Sequence, residues 1–235
     1  GGAAVDVASA NDDHHSSCFD VEHPTTITND KRCVRVTETV HGDVVNNAIV
    51  GDSSKNRPGF FVGGHGLITG TLTNNGTIKG GGDEWGALTL GKDADVQGGI
   101  FNNGTIVSTH GNAIQLGYRE HEWWSTPQRA ALTGDIGNTG LIDGHDDGVA
   151  ALFGTMSGTL INQANGTIEG GDIAVFIADS FTQWTGGIEN RGLIAGDSAG
   201  IQIGALSGTG DGVEFAGGIV NAAGGKITAK SGPSA

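Results

Sequence analysis

Gly70-Thr-Leu72-Thr-Asn74-Asn75-Gly76-Thr77-Ile78-Lys79-Gly80, followed by Ala87-Leu88-Thr89-Leu90, decides the fold, because the chain repeats its pattern. Aligned on one asparagine, seven segments appear, anchored at Asn46, Asn74, Asn102, Asn138, Asn162, Asn190 and Asn221. Four residues before each anchor stands a glycine, from Gly42 and Gly70 to Gly186 and Gly217. Two before each is aliphatic, from Val44 and Leu72 to Ile219, and six before each is apolar, from Val40 and Ile68 to Trp184 and Phe215. Successive anchors lie 28, 28, 36, 24, 28 and 31 residues apart. Self-similarity at a period of 20–50 residues marks a solenoid, propeller or array, in which each unit buries its apolar face only against its neighbours.

Between anchors the strands are short and often alternate, as in Ala113-Ile114-Gln115-Leu116 and Gly200-Ile201-Gln202-Ile203, the mark of a half-buried strand. Parallel strands normally need a helical crossover, and no segment here has ten residues of helical periodicity. Coiling the chain, so that each strand pairs with its equivalent one turn away, satisfies both facts. The reading is an all-β parallel β-helix of about seven coils. Each coil is a strand, an Asn-Gly bend, a strand, a Gly/Asp turn, a strand and a short return. A leucine-rich repeat also carries an asparagine column, but with more leucine and far less glycine. The anchor asparagine is expected to turn inward and bond to backbone and to its equivalents above and below, tolerating a left-handed bend. The glycine after it is expected to supply a positive φ, and the glycine before it a corner with no room for a side chain.

Composition agrees. Glycine makes up 44 of 235 residues with only 4 prolines, against a usual ~7% glycine. There is no Gly-X-Y triplet, so this is not collagen. The 12 basic and 26 acidic residues leave a net charge of −14, which argues against nucleic acid or anionic lipid as a partner. No apolar run is long enough to be a membrane helix, and Gly1 to Ala10 lack the features of an intact signal peptide. Cys18 and Cys33 are the two cysteines. They read as a disulfide of an oxidising compartment, with a pair of free thiols as the alternative.

The pattern Gly-x-[Ile/Leu]-x-Asn-x-Gly-x-Ile-x-Gly followed by Ala-Ile-x-Leu resembles the passenger region of bacterial autotransporters, over roughly residues 40 to 230. The resemblance implies a right-handed, single-stranded β-helix at the bacterial cell surface or secreted, attached to a C-terminal translocator barrel, and adhesin-like in many members. On this reading residues 1–38 are an N-terminal cap segment, 39–230 the β-helix, and 231–235 the tail of a fragment of a longer protein.

Candidate sites fall where the repeat breaks or carries charge. The 36-residue spacing holds an insertion from Tyr118 to Arg129 containing Arg119, Glu120, His121, Glu122, Trp123 and Trp124. Loops that leave a solenoid often form its binding face. Tyr118, Arg119, His121, Trp123, Trp124 and Arg129 are therefore the candidate ligand-binding residues, unless the rings fold back to cover the coil. Metal binding by His121 between two glutamates is disfavoured, since adjacent side chains rarely converge.

Turn acids recur at Asp52, Asp83 with Glu84, Asp146 with Asp147, Asp172 and Asp197. Asp146, Asp147, Asp172 and Asp197 are weak candidates for a stacked Ca²⁺ ladder, weighed against solvated turn aspartates that bond their own backbone. No other cofactor is expected. Asn75-Gly76-Thr77, Asn103-Gly104-Thr105 and Asn165-Gly166-Thr167 match the N-glycosylation sequon, but the repeat generates that triplet by itself. Gly196-Asp197-Ser198-Ala199-Gly200 matches a serine-protease segment and equally a repeated turn, with a triad being a matter of geometry.

The functional expectation is an adhesin fragment, not an enzyme. It would bind a host-cell protein or glycan, or another passenger, through a loop or side face, without membrane insertion. The alternatives are a structural stalk, and a polysaccharide-acting enzyme using outward Asp143 and Glu169, for which no basic partner in register is evident.

Overall fold

The computed structural model describes residues 18–82, 85–118, 126–178, 182–204 and 213–230. They form a right-handed all-β solenoid of about seven coils. Each coil contributes four short strands; in one coil these are Leu67–Ile68, Leu72–Asn74, Thr77–Gly80 and Leu88–Leu90. Stacking gives four parallel sheets, numbered in the order in which the coil at 67–90 visits them. The first runs from Thr39–Val40 to Glu214–Phe215 and the second from Thr25–Ile27 to Ile219–Asn221. The third runs from Ile49–Val50 to Lys226–Ala229 and the fourth from Phe19–Asp20 to Ala199–Ile203.

The expected short return is itself a strand. Val96, Leu132, Met156 and Trp184, six residues before their anchors, point inward from the first sheet and are at most 2% exposed. Where this strand is three residues long it does alternate, Ala94 with Val96 and Ala130 with Leu132 facing inward. The inner alanines are small, however, and other copies are two residues long, which leaves little pattern to read. The inward residues of all four sheets form one continuous core. No coil buries that surface alone, so stability is a property of the stack.

The anchor asparagines sit in register along the second sheet. Each Nδ2 donates to the Oδ1 of the next at 2.8–2.9 Å, in an unbroken series from Asn46 to Asn221. Each also donates to a carbonyl of its own bend, as Asn102 does to Gly104, and to one in the next coil, as Asn102 does to Leu141. Asn46, Asn74, Asn102, Asn138, Asn162 and Asn190 are 0–1% exposed. Burial of so many amides is tolerable because their polar atoms are satisfied.

Two backbone expectations fail here. The asparagines lie at strand ends with no positive φ, and Gly76, Gly104, Gly140, Gly166 and Gly192 have none either; only in the last coil does a bend glycine, Gly224 at φ 89°, behave as expected. The glycine is required by crowding instead: a Cβ on Gly104 would lie 2.0 Å from the Gly76 carbonyl oxygen of the coil below. The earlier glycine behaves as expected, since a Cβ on Gly98 would sit 2.5 Å from the Gly70 backbone.

The two ends differ. Cys18 and Cys33 are joined in a disulfide with Cα atoms 4.7 Å apart. Around it, Phe19–Asp20 pairs with Val34–Val36 and Thr25–Ile27 with Val44–Asn46, so this segment extends two of the sheets. Buried Ile27 stands opposite Asn46 and ends the asparagine series on that side. Arg35 grips Asp20 through two hydrogen bonds, which hold the guanidinium above its ordinary pKa. At the far end Ile203, Ile219 and Val220 are 37%, 46% and 56% exposed.

Candidate functional site

Of the insertion, Tyr118 and residues 126–129 are described; Arg119, Glu120, His121, Glu122, Trp123 and Trp124 lie outside the described residues. Its neck is closed by an antiparallel bridge in which Tyr118 and Gln128 exchange backbone hydrogen bonds of 3.0 and 2.7 Å. Tyr118 is 1% exposed, and its ring centroid lies 4.4 Å from that of Trp85. Trp85 in turn meets Phe61 edge-on. The Tyr118 ring occupies the space above Gly91, where a Cβ would come within 2.3 Å of it.

These rings belong to a cover on the outside of the fourth sheet. Thr89, Gln115, Ala150 and Phe176 alternate with core residues and therefore face outward, yet are 0–4% exposed. Phe176 anchors a second small apolar cluster there with Ile173 and Ala178. The described part of Tyr118 thus packs as cover, while Arg129, at the other stem of the insertion, is exposed.

Arg129 leads into a cleft of about 400 Å³ on the outer face of the first sheet. Ala94, Ala130, Ala131 and Gly154 line it on three strands in parallel register, Ala131 facing outward and the Ala94 and Ala130 methyls turned into the core. Its rim carries Asp93, Arg129, Thr155 and Gln183, with Asp95 at the floor's edge. Asp95, Ala131, Thr155 and Gln183 form one outward column across four coils, one residue before the inward column of Val96, Leu132, Met156 and Trp184. Asp93 is held by its N–H donating to the Arg129 carbonyl at 2.8 Å and adopts φ 61°. Gln97 donates to Asp95 Oδ2 at 3.2 Å, and Asp95 Oδ1 is buried with no donor among the described residues.

Asp93, Asp95, Thr155 and Gln183 were not singled out from sequence. The residues immediately before the apolar column could have flagged three of them. The concavity depends on alanine and glycine falling side by side in three coils, which only the register reveals.

The turn acids do not converge. Among the described residues no three His, Cys, Asp or Glu side chains meet where a metal could sit. Asp83 and Glu84 lie outside the described residues. Asp52 accepts hydrogen bonds from Ser54 N–H and Oγ at 3.0 and 2.7 Å, which lower its pKa. Asp146 is exposed beside His145 Nδ1 at 3.0 Å, and Asp172 and Asp197 are exposed.

Asp147 is different. It is 9% exposed, accepts the Ile173 N–H at 3.2 Å, and its own N–H donates to Asn112 Oδ1. It ties three coils together, and burial, aided by Asp172 and Asp146, pushes its carboxyl up to about 7. Ser198, on the Gly-Asp-Ser turn, is exposed and donates its N–H to the Asp172 carbonyl.

Asp143 and Glu169 are direct neighbours across the third sheet. Lys230 Nζ lies 3.6 Å from Glu169 and 3.9 Å from Asp197, supplying the basic partner that the sequence left unseen. Burial raises the Asp143 pKa, Glu169 adds to the rise, and Lys230 opposes it.

No family profile, curated protein or solved structure matches the chain. Function therefore has to be argued from the cleft and the surfaces around it.

Proposed function

We propose that this chain is a rigid recognition domain of the adhesin type, displayed outside a bacterial cell as part of an autotransporter passenger. On this reading it meets a host-cell or neighbouring-cell ligand through the cleft beside the insertion at 118–129. The observation that carries the proposal is the cleft itself. It brings a few charged and amide groups together over small residues, the convergence of polar groups that orients a ligand, and it adjoins the longest insertion between anchors. The solenoid supports presentation, because a stack of parallel sheets holds the rim residues on strands and strand ends. The disulfide between Cys18 and Cys33 suits an oxidising, extracellular setting. The passenger assignment, the surface location and the translocator barrel rest on the sequence resemblance.

The test fills the cleft from an exposed position. Thr155→Trp should abolish adhesion of the isolated domain to a panel of host and bacterial cells, with melting temperature and circular dichroism unchanged. Adhesion equal to wild type would remove the cleft from the mechanism.

A second reading has its own observation. Asp143, Glu169 and Lys230 place two carboxylates and an ammonium together on one face, as polysaccharide-cleaving chemistry requires. Cleavage of any neutral or acidic glycan, lost in Asp143→Asn, would establish it in place of the first; no turnover across a broad screen would dismiss it.

A further inference from the structure

Resting on the reading of the cleft as the ligand site, we infer that its occupant is a neutral sugar unit of a glycan, of about disaccharide size. Five features of the cleft converge on that class: its small-residue lining, its rim groups, its volume, its closed strand ladder and its charge.

The cleft is shallow because small residues line it: the Ala131 methyl faces outward, Gly154 has no side chain, and the Ala94 and Ala130 methyls turn into the core, so that backbone lies near the surface. On this shallow surface of mixed polar and apolar character a pyranose ring can lie close to the strands. The rim offers planar groups: the Asp93 carboxylate, the Arg129 guanidinium and the Gln183 amide, with the Thr155 hydroxyl between them. Such forks present paired donors or acceptors at the separation of vicinal hydroxyls, and a sugar hydroxyl both donates and accepts. A volume of about 400 Å³ falls within the range for small-ligand sites.

Backbone chemistry argues against a peptide strand. The cleft lies in mid-sheet, where the strands at 94–96, 130–132 and 154–156 are already paired in parallel on both sides. A peptide would find no free ladder to extend, so strand addition, which supplies much of the affinity of extended peptides, is closed to it. A sugar needs only side chains and the shallow surface.

Charge then selects among sugars. Asp93 and Asp95 outnumber Arg129 around the cleft, and the whole chain carries −14. A carboxylated or sulfated unit would be repelled, since like charge near a site costs affinity and slows encounter. Lengthwise, sugars linked along the solenoid axis would step from coil to coil, about 4.8 Å apart, past Asp95, Ala131, Thr155 and Gln183.

The experiment is a fluorescent-protein binding array of neutral hexose and N-acetylhexosamine glycans, the same cores capped with sialic acid or sulfate, and basic and acidic peptides. Neutral glycans should bind, and capping should weaken binding at least tenfold. Asp93→Ala and Gln183→Ala should each lose tenfold or more with unchanged melting temperature, and Thr155→Trp should bind nothing. Selective binding of acidic glycans, binding of peptides alone, or neutral-glycan binding that survives Thr155→Trp would overturn the inference. If cell adhesion is lost in Thr155→Trp while every neutral glycan stays blank, the sugar class falls and the cleft stands. If adhesion survives that substitution, the cleft falls too.

Discussion

Two asparagine columns run along this solenoid one residue apart, and their hydrogen bonds are almost the same length. The first, Asn46 to Asn221, is linked at 2.8–2.9 Å and is buried over most of its length. The second, Asn47, Asn75 and Asn103 with Thr139 at its end, is linked at 2.9 Å and is largely in water. Geometry does not separate them; solvent does. A buried amide left without a partner bears its full desolvation cost, whereas an exposed one recovers its hydrogen bonds from water. Asn75 and Asn103 also begin two of the three sequons, so a glycan on either would disturb only the exposed series.

Breaking the buried column should have the largest effect. Asn138→Leu keeps most of the volume but takes the Asn138 donor from Asn162 Oδ1 and removes the Asn138 bonds to Asn102 Nδ2 and to the Gly140 and Thr167 carbonyls, although Asn102 keeps the Gly104 and Leu141 carbonyls and Gly140 keeps the Thr167 N–H. With about 1–3 kcal/mol for the unsatisfied Asn162 Oδ1 and roughly 1 kcal/mol more for the other bonds lost, denaturant unfolding should show a loss of about 3 kcal/mol.

A smaller, pH-dependent effect should follow at Asp147, a buried polar link outside both columns. Its folded pKa of about 7 lies above the ordinary 3.8, so folding favours the protonated form. Below pH 4 both states are protonated and nothing is lost. Stability falls as pH rises from about 4 to 7 and stays low above that. Asp147→Asn keeps an acceptor for Ile173 and should raise stability by about 2 kcal/mol at pH 8, allowing for solvent screening. The gain should vanish near pH 4, as a pH series of melting curves would show.

Smallest of all, Asn103→Ala should change unfolding by under about 0.5 kcal/mol, as for most surface substitutions. A loss comparable to that of Asn138→Leu would refute the distinction between the columns.

The same contrast explains what the sequence made legible. The buried column, its corner glycine and the inward aliphatics repeat because every coil faces the same constraint, so aligning the seven segments on one asparagine was enough to read them. The reason for Gly104 could not, because crowding against Gly76 belongs to the stack and leaves no local signature. Nor could Asp147 be told from Asp146 beside it; only the fold shows that one is sealed under Ile173 and the other faces water. The cleft was half visible. Arg129 marked its edge through the break in the period, while its floor needed the register of three coils. Tyr118, read among the binding candidates, packs on Trp85 and Gly91, and its burial follows from a sheet whose outer face is covered.

The buried amides also have a direction. All donate toward the higher-numbered coil, so their dipoles add along the axis, and a row of hydrogen bonds in a dry interior polarises its members. The Asn46 end presents oxygen and the Asn221 end presents N–H. By the electrostatics that act at helix termini, the Asn221 end favours an anion and the Asn46 end a cation. The rod therefore carries an electrical polarity along its length that its net charge does not disclose.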